Sequence, residues 1–155
     1  MELEIREAAS QGDIDGCRTL MGEYSEWLKD GVCAQGFAEE MAGLPGKYAP
    51  PEGRLLIATA GGEPAGCIAF RRFDAETAEA KRLWVSPRFR KHGVGVALLR
   101  RMVVEVKATG YRRVVFNTLP KMESALRLYT ALEFERIEAY FGSSLQGVMC
   151  FEKLL

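Results

Sequence analysis

The sequence predicts a mixed α/β fold of the α+β type, and two patterns carry this prediction. The first half of the chain contains strand-like runs separated by glycine and proline turns, which is typical of antiparallel strands. The second half contains two amphipathic helix patterns, each beside a strand pattern. The length of 155 residues is that of one domain. We expect a single domain over residues 1–155, with a mixed, mostly antiparallel sheet flanked by about four helices.

The first half of the chain predicts two helices and three strands. Leu3 to Arg6 alternates like a short strand, and Asp13 is placed to cap the first helix. Arg54 to Ala60 and Glu63 to Phe73 form a hairpin, because Gly61-Gly62 accepts the positive φ values of a tight turn. The apolar stripes of the helices, typical of core packing, are Ile14, Cys17, Met21, Tyr24 and Leu28, then Phe37, Ala38, Met41 and Leu44.

The second half begins with a strand from Glu79 to Val85 and a helix over 93 to 109. Gly110 is placed to close this helix in the left-handed conformation. Because a helix connects the two strands, Tyr111 to Thr118 is expected to run parallel to the first. The remaining elements are a helix over 121 to 132, started by Pro120, and strands from Phe134 to Phe141 and from Val148 to Leu154 around a turn at Gly142-Ser143-Ser144.

Charge and composition exclude several classes of protein. Lysine plus arginine equal aspartate plus glutamate at 21 each, so no overall field attracts nucleic acid or an anionic membrane. The cysteines are scattered and only one histidine is present, which argues against a metal site or a disulfide framework. Glu2 and Glu4 replace the basic region of a signal peptide, and no apolar run approaches the roughly 20 residues that span a bilayer. A cytoplasmic protein is expected, with its cysteines in the core: Cys17, Cys33, Cys67 and Cys150.

The junction between Leu83 and Gly95 carries most of the functional information. Leu83-Trp84-Val85 ends a strand, Pro87 stops sheet pairing, and Gly93 and Gly95 open a helix. The first turn of a helix has backbone N–H groups without intrahelical partners and a partial positive charge, which favours a phosphate ligand. A turn that only reverses the chain is the alternative interpretation. The basic residues of this turn are Arg88, Arg90, Lys91 and His92.

Two segments resemble a known family. Arg90-x-x-Gly93-x-Gly95, directly after the strand, resembles the acetyl-CoA-binding motif (Q/R)-x-x-G-x-(G/A) of the GNAT superfamily of N-acetyltransferases. The segment from Ala125 to Phe134 is similar to a later helix of that family, A-x-x-L-Y-x-x-x-G-F. The two segments have the family's order and about its spacing, so the resemblance covers nearly the whole chain.

The resemblance implies a sheet that is splayed between strands 79–85 and 111–118, with acetyl-CoA in the opening. In the family, a bulge in the strand before the motif frees backbone N–H groups for the oxyanion, and the sequence alone does not show one. The loop around Tyr48 falls in the region that helps to form the acceptor pocket. The cofactor-binding positions that the resemblance implies are Leu83, Trp84, Val85, Arg90, Lys91, His92, Gly93, Val94, Gly95 and Val96.

The resemblance also implies direct attack of a primary amine on the thioester. Glu79 matches the position of the general base in some members, and Asn117, which is no base, occupies the alternative position. Tyr129 matches the tyrosine that protonates the departing thiolate. Two other interpretations stay open: Glu79 pairs with Lys81 or Arg82, and Tyr129 is a core residue.

Two positions depart from the family pattern. Glu133 stands where the later motif has glycine, so the turn requires either a different backbone conformation or strain at a left-handed residue. Met122 stands where the family often has an asparagine that contacts the cofactor. Asn117 and Ser124 are the candidate replacements for that contact.

The main hypothesis is an N-acetyltransferase that uses acetyl-CoA, needs no metal, and acetylates an amine that the sequence does not identify. A non-catalytic acetyl-CoA-binding or sensor module is the second hypothesis, because it does not require both Glu79 and Tyr129. A nucleotide-binding module is the third. A P-loop and a Rossmann fingerprint both fail, since Val96 follows Gly95 and Leu98 occupies the place of a third glycine. No nucleic-acid or membrane partner is expected, and a homodimer is left open.

Overall fold

The computed structural model describes residues 2–28, 36–119, 122–140 and 148–155. Within this part, seven strands and four α-helices form the fold, together with short 3-10 turns at Gly46–Tyr48 and Pro87–Phe89. The strands are β1 (Leu3–Glu7), β2 (Arg54–Ala60), β3 (Glu63–Arg72), β4 (Thr77–Val85), β5 (Arg113–Thr118), β6 (Glu135–Ile137) and β7 (Met149–Leu154). The helices are α1 (Gln11–Leu28), α2 (Phe37–Ala42), α3 (Val94–Thr109) and α4 (Glu123–Ala131).

The start of α1 differs from the sequence prediction. Ser10, not Asp13, caps the helix: the Ser10 hydroxyl accepts the N–H of Asp13 at 3.1 Å, and the Ser10 carbonyl accepts the N–H of Ile14 at 3.0 Å. Asp13 is buried inside the first turn, where both of its oxygens accept hydrogen bonds from Arg6 at 2.8 and 3.1 Å. Asp13 therefore joins the helix to β1, a long-range contact that no local pattern indicates.

The later elements follow the predicted order with shifted ends. Strand β4 begins at Thr77, two residues before the predicted start, and β6 ends at Ile137 and not at Phe141. Gly93 and Gly110 bound α3 with φ values of 79° and 108°, so both helix ends use the left-handed conformation that glycine adopts without strain. The predicted helix start at Pro120 and the turn at Gly142-Ser143-Ser144 lie outside the described residues.

The strands lie in the order β1-β2-β3-β4-β5-β7-β6, and every neighbouring pair is antiparallel except β4 and β5. The parallel ladder has only three pairs, the last of which joins Glu79 to Val115. Beyond it, β4 stays paired with β3 as far as Val85, and β5 stays paired with β7 as far as Thr118. The sheet therefore opens between β4 and β5, which confirms the predicted splay.

Each face of the sheet carries its own apolar core. Helix α3 buries Leu98, Leu99 and Met102 on one face, against Phe70 and Phe116. Helix α1 packs on the other face; its core residues there include Cys17, Leu20 and Met21, against Leu55, Ile57, Cys67 and Trp84. The free thiols Cys17, Cys67 and Cys150 are buried, and burial raises the pKa of Cys17 to about 12. These three cysteines are core residues, as the sequence predicted.

A β-bulge bends β4 in the middle of the open region. Lys81 pairs with Ala69 and Trp84 pairs with Cys67, so two residues of β4, at 82 and 83, lie opposite one residue of β3. Arg82 holds the bulge with φ of 64°, a conformation that costs a non-glycine residue about 1–3 kcal/mol. The bulge predicted by the family resemblance is therefore present.

Glu40 of α2 anchors the bulge. Arg82 donates from Nε and Nη2 to the two Glu40 oxygens at 2.8 and 3.0 Å, and the Tyr48 hydroxyl donates to Oε2 at 3.0 Å. The Lys47 ammonium lies 3.2 Å from Oε1. Burial raises the pKa of Glu40, but Arg82 and Lys47 outweigh it and lower the pKa to about 2. Tyr48 is fully buried in this arrangement, so its phenol supports the anchor and is no surface for an acceptor.

Replacing Glu40 with glutamine tests this anchor. Because the folded-state pKa lies near 2 and the usual value is 4.5, the ion pair contributes fully above about pH 5 and is lost as the pH falls from 4.5 towards 2. We expect Glu40→Gln to lower the free energy of unfolding by about 2 kcal/mol at pH 7, with the difference shrinking below pH 4.5 and closing near pH 2. Denaturant unfolding at several pH values measures this, with exposed Glu39→Gln as control. Equal losses at pH 7 and pH 3 would contradict it.

Candidate active site

The N-terminus of α3 presents free backbone donors. The first intrahelical bond at this end runs from the N–H of Ala97 to the carbonyl of Gly93 at 3.0 Å, so the N–H groups of Val94, Gly95 and Val96 precede it. No side chain caps this end of the helix. Three adjacent donors and the positive end of the helix dipole therefore face the same place.

A cleft of about 570 Å3 begins at these donors. It extends between the ends of β4 and α3 on one side and the first turns of α4 on the other. The predicted cofactor-binding residues line it with two exceptions, His92, which is exposed, and Asn117. The predicted residues on its wall are Leu83, Trp84, Val85, Arg90, Lys91, Gly93, Val94, Gly95, Val96 and Ser124.

Gly93 and Gly95 are needed in this turn for different structural reasons. Gly93 has φ of 79°, and a Cβ built on it meets no atom within 4 Å, so its backbone conformation is the constraint. A Cβ on Gly95 would lie 2.9 Å from Cδ1 of Leu128 in α4. Gly95 thus lets α3 and α4 approach closely enough to form the two walls of the cleft.

Some basic residues of the turn form structural contacts, and others lie on the cleft wall. Arg88 forms an ion pair with Glu63. Arg90 lies 4.7 Å from the centre of the Trp84 ring and donates from Nε to the carbonyl of Val85 at 3.1 Å, so it holds the end of β4. Lys91 is exposed on the cleft wall, which leaves its ammonium available to an anion bound at α3.

Helix α1 fixes the end of β4 from the other face of the sheet. The Trp84 indole donates to one oxygen of Glu23 at 3.1 Å, and the Ser86 hydroxyl donates to the other at 3.4 Å. The rings of Tyr24 and Trp27 lie 5.5 and 5.6 Å from that of Trp84. These contacts make the wall beside the open strand rigid.

Glu79 lies at the point where the sheet opens, and its side chain is only 5% exposed. Two nitrogens of Arg71 approach its Oε1, each at 2.9 Å. The Tyr140 hydroxyl donates to Oε2 at 2.6 Å, and the Asn117 amide lies 3.3 Å from the same oxygen. Burial and the Glu79 carboxylate raise the pKa of Tyr140. Of the two partners that the sequence suggested for Glu79, Lys81 is present at 3.9 Å, whereas Arg82 pairs with Glu40.

Tyr129 lies in the core on the α3 face of the sheet. Its ring stacks on Phe116 with 4.5 Å between ring centres, and it is 3% exposed. Burial raises the pKa of its hydroxyl, and the phenol of Tyr24 adds a smaller effect in the same direction. The Tyr129 ring itself is outside the cleft lining.

The departures from the family pattern have local explanations. Met122 lines the cleft, and its sulfur accepts from Thr118 Oγ1 at 3.1 Å. Asn117 instead contacts Glu79 and Tyr140, so Ser124 is the candidate replacement that stands on the cleft wall. Glu133 has φ of 64°, so of the two alternatives for the turn after α4, the left-handed residue is the one present.

Sequence reasoning missed several residues of this region. Arg71 meets Glu79 because the two are paired across β3 and β4, and Tyr140 is 61 residues from Glu79 in the chain. Neither contact has a local signal. The cleft-wall residues outside the predicted set are Trp27, Phe89, Met122, Glu123, Ala125, Arg127 and Leu128. The later family motif and the position before it point to Met122, Ala125 and Leu128, and the i, i+4 spacing in α4 is a hint for Glu123 and Arg127.

The family model described as the acetyltransferase (GNAT) family matches residues 18–134 of this chain. The match covers well over half of the sequence and both motifs that line the cleft. The chain belongs to the GNAT family of acetyltransferases.

Relatives and a solved structure agree with the GNAT assignment. An uncharacterised N-acetyltransferase of Schizosaccharomyces pombe is 31% identical over 139 residues, 88% of this chain and 85% of that protein. N-acetylaspartate synthetase of Danio rerio is 32% identical over 111 residues, 70% of this chain and 39% of that protein. PaiA N-acetyltransferase of Thermoplasma acidophilum, solved in complex with coenzyme A, has a TM-score of 0.78 and 19% identity, with 100% of each chain covered. The predicted fold class and acetyltransferase activity are therefore confirmed.

The described residues contain no group of three or more His, Cys, Asp or Glu side chains arranged to hold a metal ion. None of the helices they form has the length and hydropathy needed to cross a bilayer.

Proposed function

We propose that the protein transfers an acetyl group from acetyl-CoA to a primary amine by direct attack on the thioester. One observation supports this most: a single cleft joins the free donors of α3 to the end of β4, the strand that carries Glu79 at the point where the sheet opens. A site that only bound a phosphate would not need such an extension.

The cleft offers acetyl-CoA two kinds of contact. The N–H groups of Val94 to Val96 and the ammonium of Lys91 suit the pyrophosphate. The apolar wall formed by Leu83, Val85 and Leu128 suits the uncharged pantetheine arm. The Thermoplasma acidophilum relative was solved with coenzyme A, which supports the same ligand class for this chain.

The reaction requires a deprotonated amine, and Glu79 is the proposed proton acceptor. The amine nitrogen attacks the thioester carbon, the C–S bond breaks, and the proton of the amine passes to Glu79 directly or through water. Arg71, Asn117 and Tyr140 orient the carboxylate from three sides. The departing thiolate takes a proton from the Tyr129 hydroxyl.

The oxyanion of the tetrahedral intermediate is stabilised, in this proposal, by backbone N–H groups of β4 beyond Glu79. Among the described residues, this stretch of β4 has no ladder partner in β5. The bulge at Arg82 shifts the alternation of side chains by one residue, so Leu83 packs into the same core as Ala80, and Trp84 packs into the core of α1. Donors held in place by such packing cost no reorganisation during the reaction.

The second hypothesis, a non-catalytic acetyl-CoA sensor, is less well supported. Glu79 lies at the point where the sheet opens, and the similar proteins are named for acetyltransferase activity. One relative is named for the synthesis of N-acetylaspartate, which favours an amino acid among the acceptors. The cytoplasmic location and the homodimer stay predictions.

The first test concerns the phosphate site. We expect saturating acetyl-CoA to raise the melting temperature, because a ligand of the folded state adds RT ln(1 + [L]/Kd) to stability. Lys91→Glu should weaken acetyl-CoA about tenfold, since it replaces an attraction to phosphate by repulsion. Binding of S-acetylpantetheine, which lacks the nucleotide phosphates, should not change. Lys107→Glu, near the other end of α3, is the matched control. A parent protein that acetyl-CoA does not stabilise would refute the phosphate site.

The second test removes the proposed base. Glu79→Gln keeps the size of the side chain and should lower kcat by roughly 10² to 10⁴ at pH 7. The loss should shrink as the pH rises, because free amine then becomes available without the base. Rate measurements from pH 6.5 to 10 check this, with exposed Glu76→Gln as control. A variant with near-parent turnover and the parent pH profile would return Glu79 to a purely structural role.

The third test separates catalysis from packing at Tyr129. Tyr129→Phe removes only the hydroxyl, so kcat should fall about 10²-fold while the stabilisation by acetyl-CoA is retained. Tyr111→Phe, which removes a hydroxyl that donates to the Glu52 carbonyl at 2.7 Å, is the matched control and should cost about 1 kcal/mol of stability without loss of rate. If Tyr129→Phe behaves like this control, Tyr129 is a core residue.

A further inference from the structure

Charged side chains from β3, β4, α2 and the turn at Gly46–Tyr48 surround Glu79, and the proposed reaction uses only Glu79 and Arg71 among them. We call this group the acceptor-side cluster; its residues are Glu40, Lys47, Arg71, Glu79, Lys81 and Arg82. Four cations stand against two carboxylates, so the cluster has an excess of positive charge. A partly buried excess of this kind is unfavourable unless an anion neutralises it.

Lys81 is the member of the cluster whose charge is least neutralised. The other three cations have close carboxylate partners: Arg71 approaches Glu79 at 2.9 Å, Arg82 approaches Glu40 at 2.8 Å, and Lys47 approaches Glu40 at 3.2 Å. Lys81 lies 3.9 Å from Glu79, at the limit of an ion pair, and the same Glu79 oxygen already accepts from Arg71. The Lys81 side chain is 27% exposed, so its ammonium can be reached by a ligand.

The electrostatic surroundings of Lys81 agree with this geometry. Burial lowers the pKa of its ammonium, Glu79 raises it, and Lys47, Arg82 and Arg71 lower it further. The charged neighbours are thus one carboxylate and three cations. An anionic group beside Lys81 would relieve both the burial and the repulsion.

The strand geometry places Lys81 beside the reacting amine. Glu79 and Lys81 are two residues apart on β4, before the bulge, so their side chains project from the same face. A ligand whose amine meets Glu79 therefore has Lys81 as its next neighbour along the strand.

We propose that the acceptor is a small amine that also carries a carboxylate, and that Lys81 binds this carboxylate while Glu79 receives the proton of the amine. This inference rests on the proposed function and adds the substrate class to it. An α-amino acid has the required pair of groups on one carbon. An amine without an anion, or the N-terminus of a peptide, lacks the second group.

The test compares matched acceptors in the parent protein. Three acceptors are compared for each amino acid: the amino acid itself, its α-carboxamide, and the corresponding amine without the carboxylate. Acetylation is followed by the release of thiol from acetyl-CoA. We expect kcat/KM for the best amino acid to exceed that of its amide by about 10- to 100-fold, the size of a hydrogen bond to a charged group. Turnover of amines or peptide N-termini without this preference would overturn the inference and leave the proposed function standing. Stabilisation by acetyl-CoA without acetylation of any amine would overturn both.

Variants of Lys81 assign the preference to this side chain. Lys81→Gln should lower kcat/KM for the amino acid to about that of its amide, with little change for the amide itself. Lys81→Arg should restore most of the preference, because it keeps the charge. Lys107→Gln removes one cation far from the cluster and should change neither value. A preference that survives in Lys81→Gln, in a variant whose melting temperature matches the parent, would remove Lys81 from this role.

Discussion

The end of the parallel ladder at Glu79 and Val115 is the constraint on which the rest of the site depends. A parallel pair of strands normally continues for its whole length, because unpaired backbone groups in the interior of a sheet are costly. Here the ladder has three pairs, and where it stops, side-chain contacts connect the strands. Arg71 from β3 and Asn117 from β5 both contact the Glu79 carboxylate, so one side chain joins the separating strands at their branch point. The gap beyond it is the place where the two substrates of an acetyltransferase can meet.

The bulge at Arg82 shows how strain in this site is offset by a distant contact. A left-handed arginine is unfavourable by itself, but its guanidinium makes a two-pronged interaction with Glu40, 42 residues away in the chain. The result is local: the alternation of side chains shifts by one residue, so Leu83 packs on the α3 face of the sheet. Trp84 then packs on the α1 face, where Glu23 and the rings of α1 hold it. Helices α1 and α2 therefore determine the shape of the strand that faces the cleft.

The two faces of the sheet differ in their electrostatics, and this difference suits two different ligands. On one face, backbone donors of α3 and the ammonium of Lys91 provide positive potential without buried side-chain charges. On the other, cations and carboxylates alternate around Glu79 and Lys81. Phosphate groups are recognised well by fixed backbone dipoles, whereas an amine that must lose a proton needs a carboxylate. This division agrees with the proposed positions of the two ligands, acetyl-CoA at α3 and the amine at Glu79.

The sequence by itself determined the elements and the cleft wall around α3. Local interactions within a few residues determine the helical periodicity, the glycines Gly93 and Gly110 at the helix ends, and the left-handed turn at Glu133. These features can therefore be predicted from the sequence. The family motifs located the strand before α3 and the tyrosine of α4 in the same way. Only the tertiary structure decided which groups meet at the reacting centre. The contacts of Glu79 with Arg71 and Tyr140, and of Arg82 with Glu40, depend on strand register and on packing between segments up to 61 residues apart. No local pattern predicts such contacts, because they are set by the packing of the whole sheet against its helices.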